Sequence, residues 1–221
     1  MTKTDYTRGM QCPKMLWLDK HRRELKVIPP ESQQRMDAGN DFGDRAMAMF
    51  GEYEEMTVYH PGTKYPDINA MAANTREHLM KGTPVICEAA FFNNRNYCAV
   101  DILRKTDDGY DMYEVKNSSE VKDHFIMDAG FQYYIANNEV NIGHIYIVTH
   151  GDDEANPFVI NDVTERVKAY ASCVENNIRE LYRVQIEQEE VQAEVGNQCR
   201  EPYECWYYAY CHGGHRGINR L

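Results

Sequence analysis

Apolar positions recur at steps of three and four from Ile68 through Met71, Ala72, Thr75 and Leu79, the spacing of one helix face. Asp67 stands before that stripe as an N-cap and Gly82 just past it as a stop, which predicts a helix through Lys81. The pattern then changes. Three strand-like runs, Pro84–Phe92, Tyr97–Lys105 and Tyr110–Asn117, are separated by the turn signals Asn93-Asn94-Arg95-Asn96 and Thr106-Asp107-Asp108-Gly109. They predict an antiparallel meander. A helix from Glu120 to Asn137 follows, then a strand over His144–Thr149 built on Ile145-Tyr146-Ile147-Val148. Asp162 is placed to cap a long helix from Val163 to Glu190, with Glu165 as its capping-box partner.

Before the meander, a short helix is expected over Cys12–Arg23, broken by Pro29-Pro30. A second runs from Ser32 to Phe50 and stops at Gly51. Residues 52–66 read as irregular, and the tail from Gly196 to Leu221 as a module rich in cysteine and tyrosine. Strands interleaved with helices in this way predict an α/β fold, with a mixed central sheet flanked by helices.

The 221 residues suffice for one domain with a sizeable core and an appended lobe. Lys and Arg total 24 against 35 Asp and Glu, a net charge of −11, which argues against a protein that coats nucleic acid nonspecifically. An enzyme that holds divalent cations on carboxylates remains compatible with that balance. The 16 tyrosines read chiefly as half-buried packing residues, with base stacking as a lesser alternative. No apolar run approaches the roughly 20 residues of a membrane span, and Met1–Arg8 is polar, so a cytoplasmic protein is expected. Seven cysteines in a reducing compartment call for burial or for a metal.

Chemistry concentrates in the meander. Asp101 lies on one expected strand, and Glu114-Val115-Lys116 on the next. Alternation puts Glu114 and Lys116 on one face with Val115 toward the core, and antiparallel pairing brings Asp101 beside Glu114. Converging carboxylates repel unless a cation lies between them, and their hard oxygens suit Mg²⁺ or Mn²⁺. Lys116 beside such an ion is placed to hold an attacking water and to stabilise charge on a phosphate. Glu88 on the preceding strand is a further candidate carboxylate, and His124, Asp128 and Gln132 share a face of the following helix.

Glu88, Asp101, Glu114-Val115-Lys116 and Gln132-Tyr133 together resemble the motifs of the RecB-like branch of the PD-(D/E)XK nucleases. The resemblance implies a restriction-endonuclease-like core in which Asp101, Glu114 and Glu88 bind metal, Lys116 is the catalytic lysine, and Gln132 with Tyr133 or Tyr134 lies beside the substrate. Ala136 stands where the family often carries a tyrosine four residues after its glutamine, and the early helix lacks the histidine many members have.

At the C-terminus, Cys199, Cys205 and Cys211 are separated by five residues each, and Cys12 in Cys12-Pro13-Lys14 is the natural fourth ligand. One distant N-terminal cysteine and three C-terminal ones resemble the iron–sulfur arrangement of CRISPR-associated RecB-like exonucleases and of the AddB nuclease domain. That resemblance implies a [4Fe–4S] cluster joining residues 1–30 and 191–221 into a small lobe beside a nuclease core at 31–190. Zinc on the same cysteines, with His212 or His215 in place of a thiol, stays open on spacing alone. Cys87, Cys98 and Cys173 read as buried small hydrophobes. His21, Arg22, Arg23, Lys26, Arg216 and Arg220 offer a local basic strip.

The expected activity is metal-dependent hydrolysis of DNA, with single-stranded substrate, attack from an end in the 5′→3′ sense, and partners in repair, recombination or CRISPR adaptation, all as the resemblance implies. A non-hydrolytic nucleic-acid-binding module with a structural metal site is the alternative.

Overall fold

Val85, Ile86, Cys87, Ala89, Ala90 and Phe91 are all buried along one strand, a run apolar on both faces because elements cover the sheet on both sides. A computed structural model describes residues 1–213 and shows how that run is housed. The elements in chain order are α1 (Lys3–Gln11), α2 (Pro13–His21), α3 (Pro30–Met47), β1 (Glu54–Glu55), α4 (Ile68–Lys81), β2 (Val85–Asn93), β3 (Asn96–Lys105), β4 (Tyr110–Val115), α5 (Asp123–Ala136), β5 (Ile142–His150), β6 (Phe158–Asp162), α6 (Thr164–Ile186) and α7 (Tyr208–His212).

The fold is α/β with a mixed six-stranded sheet in the order β1-β2-β3-β4-β5-β6. β2, β3 and β4 form the antiparallel meander, β4 pairs parallel with β5 across α5, and β6 returns antiparallel to β5. Ala46 and Met47 at the end of α3 pack on Val85, Cys87, Ile102, Tyr113 and Val148. Met71 and Ala72 of α4 pack on Ala90.

The chain divides into two units. One comprises Met1–Lys3 and Asp37–Glu175 and contains the sheet; the other comprises Thr4–Met36 and the residues from Asn176 on. The divisions thus fall near residues 36 and 175, not at 30 and 190 as the sequence suggested. The second half of α6 goes with the terminal segments because Leu181 packs onto α1. A Cβ on Gly9 would stand 2.7 Å from Leu181 Cδ2 and 2.9 Å from Leu16 Cδ2, so a larger residue there would require both side chains to shift.

Local signals hold where capping chemistry is explicit. Asp67 accepts a hydrogen bond from the Ala70 amide at 3.0 Å, and Gly82 closes α4 in the left-handed region at φ 66°. Asp162 accepts from the Thr164 amide at 2.9 Å at the head of α6. Four elements depart from expectation. α1 forms in a polar segment because tertiary packing buries Tyr6 and Thr7. β1 is two acidic residues recruited by β2, and β6 is an edge strand whose Val159 and Ile160 stay exposed. α6 ends at Ile186 instead of Glu190, since Trp17 Nε1 donates to the Glu187 carbonyl at 2.9 Å and Lys14 pairs with Glu190 at 2.7 Å.

The β3–β4 turn fixes the register that the site depends on. Gly109 adopts φ 153°, and a Cβ there would lie 2.2 Å from the Asn141 carbonyl oxygen. Gly109→Ala therefore combines backbone strain with a clash against main chain and should destabilise the protein by about 2–4 kcal/mol. Urea denaturation checks this; a change within about 0.5 kcal/mol would show that the turn yields freely.

Candidate active site and cysteine cavity

Glu114 on β4 is fully buried, and both of its carboxylate oxygens are engaged. Oε1 accepts from Lys116 Nζ at 2.8 Å and from Lys3 Nζ at 2.9 Å. Oε2 accepts from Gln132 Nε2 at 2.5 Å. Lys116 Nζ also lies 2.5 Å from Asp128 Oδ2. Alternation continued one residue past β4, where the Lys116 amide donates to the Val148 carbonyl, sets Glu114 and Lys116 side by side, and the one-turn spacing on α5 aims Asp128 and Gln132 at them.

Asp101 completes the group from β3. The pairing of Ile102 with Tyr113 places Asp101 opposite Glu114, and its Oδ2 accepts from the Val115 amide at 2.7 Å. Glu88 faces Asp101 from β2, at a rung where the ladder is interrupted between Cys87↔Ile102 and Ala89↔Val100. Its φ of 54° is in the left-handed region, a strained conformation for a non-glycine residue. The strand pleat changes sense here. Cys98 Sγ donates to the Gln132 carbonyl on α5, whereas Ile102, of the same parity, packs on the opposite face with Tyr113. The irregularity turns Glu88 and Asp101 toward one another.

Electrostatics follow from that crowding. Burial, with the Asp101 charge added, pushes the Glu88 carboxyl up to about 8. Burial and the neighbouring Glu114 push Asp101 up to about 6. Burial also opposes the Glu114 charge, but the ammoniums of Lys116 and Lys3 overcome it and hold this carboxylate well below its usual range. Lys3 is likewise kept charged: burial works against it, and Glu114 and Asp101 outweigh the burial. His124 is half-buried, with burial holding its pKa down against the pull of Asp128.

Gln132 is completely buried, and its Oε1 has no hydrogen-bond partner although its Nε2 is bound to Glu114. An orphaned acceptor beside an acidic cluster suits a hard cation or a water bound to one. Asp101, Glu114 and Glu88 supply oxygen donors in the same place. Among the described residues, no three His, Cys, Asp or Glu side chains already stand at the spacing of a single-ion site. In the carboxylate group, ammoniums stand between the acids instead.

The structure thus brings together Asp101, Glu114, Lys116, Glu88, Gln132 and Asp128. Tyr133 is placed differently: its ring lies beside Lys168 of α6, with Nζ 6.0 Å from the ring centre. Lys3 is the member that sequence reasoning missed. It lies far from every motif in the chain, and its only local signal is an isolated cation in a polar leader.

In the other unit, Cys12, Cys199, Cys205 and Cys211 line one small cavity with Met15, Leu18 and Tyr207. The Tyr207 amide donates to Cys205 Sγ at 3.4 Å, a contact that favours a thiolate. Burial raises the Cys205 thiol to about 11 and also raises Cys211, so a bound cation is what would keep these sulfurs deprotonated. The four thiols and the amide donor thus share one cavity, although no three of the thiols already stand at the spacing of a single-ion site. Cys87 and Cys98 are buried and Cys173 is half-buried.

Of the basic strip, Lys26 pairs with Asp19 at 3.1 Å and packs on the Trp206 ring, together with Arg8, which lies outside the strip. Arg22 pairs with Glu24 at the surface. His215, Arg216 and Arg220 lie outside the described residues. No described helix is long and apolar enough to cross a membrane.

No family model matches the chain, and no curated protein does. Among solved structures, that of the protein SSO0001 is similar over 87% of both chains, at 12% identity and a TM-score of 0.40, a likeness from which no activity carries over.

The raised carboxyls predict a pH dependence. A carboxyl whose folded pKa exceeds its unfolded value of about 4 makes the folded state the better proton binder between the two, so stability falls as pH rises through that window. In metal-free protein the melting temperature should therefore decline from about pH 5 to about pH 8. Glu88→Gln should flatten the decline and stabilise the protein at about pH 8 by about 1 kcal/mol or more. Thermal melts in chelator measure this, and an unchanged slope would show that Glu88 ionises freely.

Proposed function

We propose that the chain is a metal-dependent nuclease, a hydrolase of DNA phosphodiesters that acts at the Asp101–Glu114–Lys116 cluster. The observation that carries this reading is the buried Glu114, whose carboxylate shares one oxygen with the Lys116 ammonium while Asp101 faces it from the next strand. Structural ion pairs seldom concentrate four acids around so few cations without a further charge to balance them.

Asp101 and Glu114, with Glu88, would hold Mg²⁺ or Mn²⁺, which when bound polarises a phosphate and lowers the pKa of a water. Lys116, gripped between Glu114 and Asp128, is positioned to hold a phosphate oxygen and to orient the proton of the attacking water. Gln132 fixes Glu114 through Oε2 and offers its free Oε1 to that water. Asp128 accepts a hydrogen bond from the Lys116 ammonium and so aims it. Single-stranded DNA attacked from an end is the substrate that the motif resemblance favours.

The cysteine cavity is assigned, on the same reading, to a [4Fe–4S] cluster held by Cys12, Cys199, Cys205 and Cys211. It would join two segments separated by nearly the whole chain, and its contribution is to folding. Zinc is the rival occupant. Anaerobically purified protein should contain iron and acid-labile sulfide, both lost in Cys205→Ser together with much of the thermal stability; zinc without iron would exclude the cluster.

The activity is tested with labelled single- and double-stranded DNA and Mn²⁺. Lys116→Ala and Asp101→Asn should each lower cleavage by about 10²-fold or more, and chelator should abolish it. Cleavage by the purified variants at the wild-type rate would refute the assignment.

A further inference from the structure

Lys3 brings a second ammonium to a site that already has Lys116. Its stem is delivered by backbone structure: the Tyr97 amide donates to the Met1 carbonyl at 2.9 Å, and Thr2 forms a parallel bridge with Tyr97 at the start of β3. The segment thus continues the sheet beside β3 and sends the Lys3 side chain along the face that carries Asp101 and Glu114. A buried ammonium is costly to desolvate, and here the surrounding carboxylates offset that cost.

Glu114 Oε1 has two lone pairs, and both are occupied, one by Lys116 and one by Lys3. Lys116 is also held by Asp128, so its ammonium is drawn toward α5. Lys3 takes the remaining coordination direction of the central carboxylate. Once a bound cation has displaced the protons of the raised carboxyls, Glu88, Asp101, Glu114 and Asp128 set against Lys3 and Lys116 leave two negative charges to balance, the charge of a single divalent ion. Hydrolytic sites that use two metals place them about 3.5–4 Å apart on shared carboxylates. A second metal on Glu114 would need the lone pair that Lys3 holds.

We propose that Lys3 is the built-in second cation of this site, an ammonium that holds the Glu114 position of a second metal and limits the cluster to one divalent ion. The proposal rests on the nuclease reading above for the existence of a metal site, and on the position of Lys3 for its occupancy. The buried, partnerless Gln132 Oε1 beside Glu114 is the independent sign that the cluster takes a ligand at all. Lys3 also remains beside the metal as a fixed positive charge for the phosphate that the reaction brings in.

The test counts ions. Mn²⁺ is titrated into the full-length protein, metal-stripped at the carboxylate site, and bound ion is read by electron paramagnetic resonance and calorimetry. Wild type should bind one Mn²⁺. Lys3→Gln keeps a donor for Glu114 but removes the charge, and should bind two, the second within about tenfold of the first. Lys3→Arg keeps the charge and should bind one. Lys3→Met serves as a second uncharged variant, and melting curves establish that each variant is folded. One ion in both uncharged variants, or two in wild type, overturns the Lys3 proposal and leaves the nuclease reading standing. No ion in folded wild type overturns the metal site itself and the Lys3 proposal with it.

Discussion

The constraint on which the sheet-bearing unit depends is the burial of a charged carboxylate, Glu114, with no exposure to water. Such a charge costs several kcal/mol unless hydrogen bonds and opposite charges surround it. Three separate parts of the chain meet that demand: Lys116 just past the end of the same strand, Gln132 on α5, and Lys3 at the start of α1. Each must arrive in register, so the β3–β4 turn, the rotational phase of α5 and the bridge at Thr2 are coupled through one side chain. A one-residue slip of β4 would turn Glu114 away and bury an apolar residue among ammoniums. The carboxylate thus specifies arrangement as much as it contributes stability.

What could be read in the sequence follows from how local each determinant is. The meander, α4 with its Asp67 and Gly82 ends, and α5 were legible because period, cap and turn residue lie within one segment. Asp101, Glu114 and Lys116 were legible for the same reason: alternation on two strands joined by a short turn dictates their meeting. Asp128 and Gln132 needed only the helical period. The left-handed conformation of Glu88 was not legible, since no glycine or asparagine marks the position. Lys3 and β6 were not legible either. The contact of Lys3 spans more than a hundred residues, and Phe158–Asp162 lacks the alternation of a half-buried strand.

The cysteine unit illustrates the opposite case, in which spacing was informative but connectivity came from distant packing. Five-residue gaps do not by themselves bring thiols together. Here Cys205 donates its amide to the Cys199 carbonyl, Cys211 donates to the Tyr207 carbonyl, and Met15 and Leu18 line the cavity between them. Cys12 reaches the same cavity because it precedes α2, whose Lys14 is anchored to Glu190. An apolar cavity lined by four thiols is a poor place for thiolates alone, as the upward shifts of Cys205 and Cys211 register. A sulfur-bound cation would reverse that penalty, which is why this unit is read as metal-dependent in its folding.

Charge distribution decides how such a protein could meet a polyanion. The net charge of −11 repels nucleic acid, and several cations are turned inward: Arg8 and Lys26 onto Asp19 and Trp206, Lys14 onto Glu190, Lys3 and Lys116 onto Glu114. Nonspecific attraction to a phosphate backbone is then weak by construction. On the nuclease reading, the attraction has to be supplied at the reacting centre, where a divalent ion inverts the local sign of the field and two fixed ammoniums reinforce it. Binding and chemistry would share one source of charge. Such an enzyme would hold its substrate chiefly at the phosphate about to be cleaved and release the product once that contact is lost.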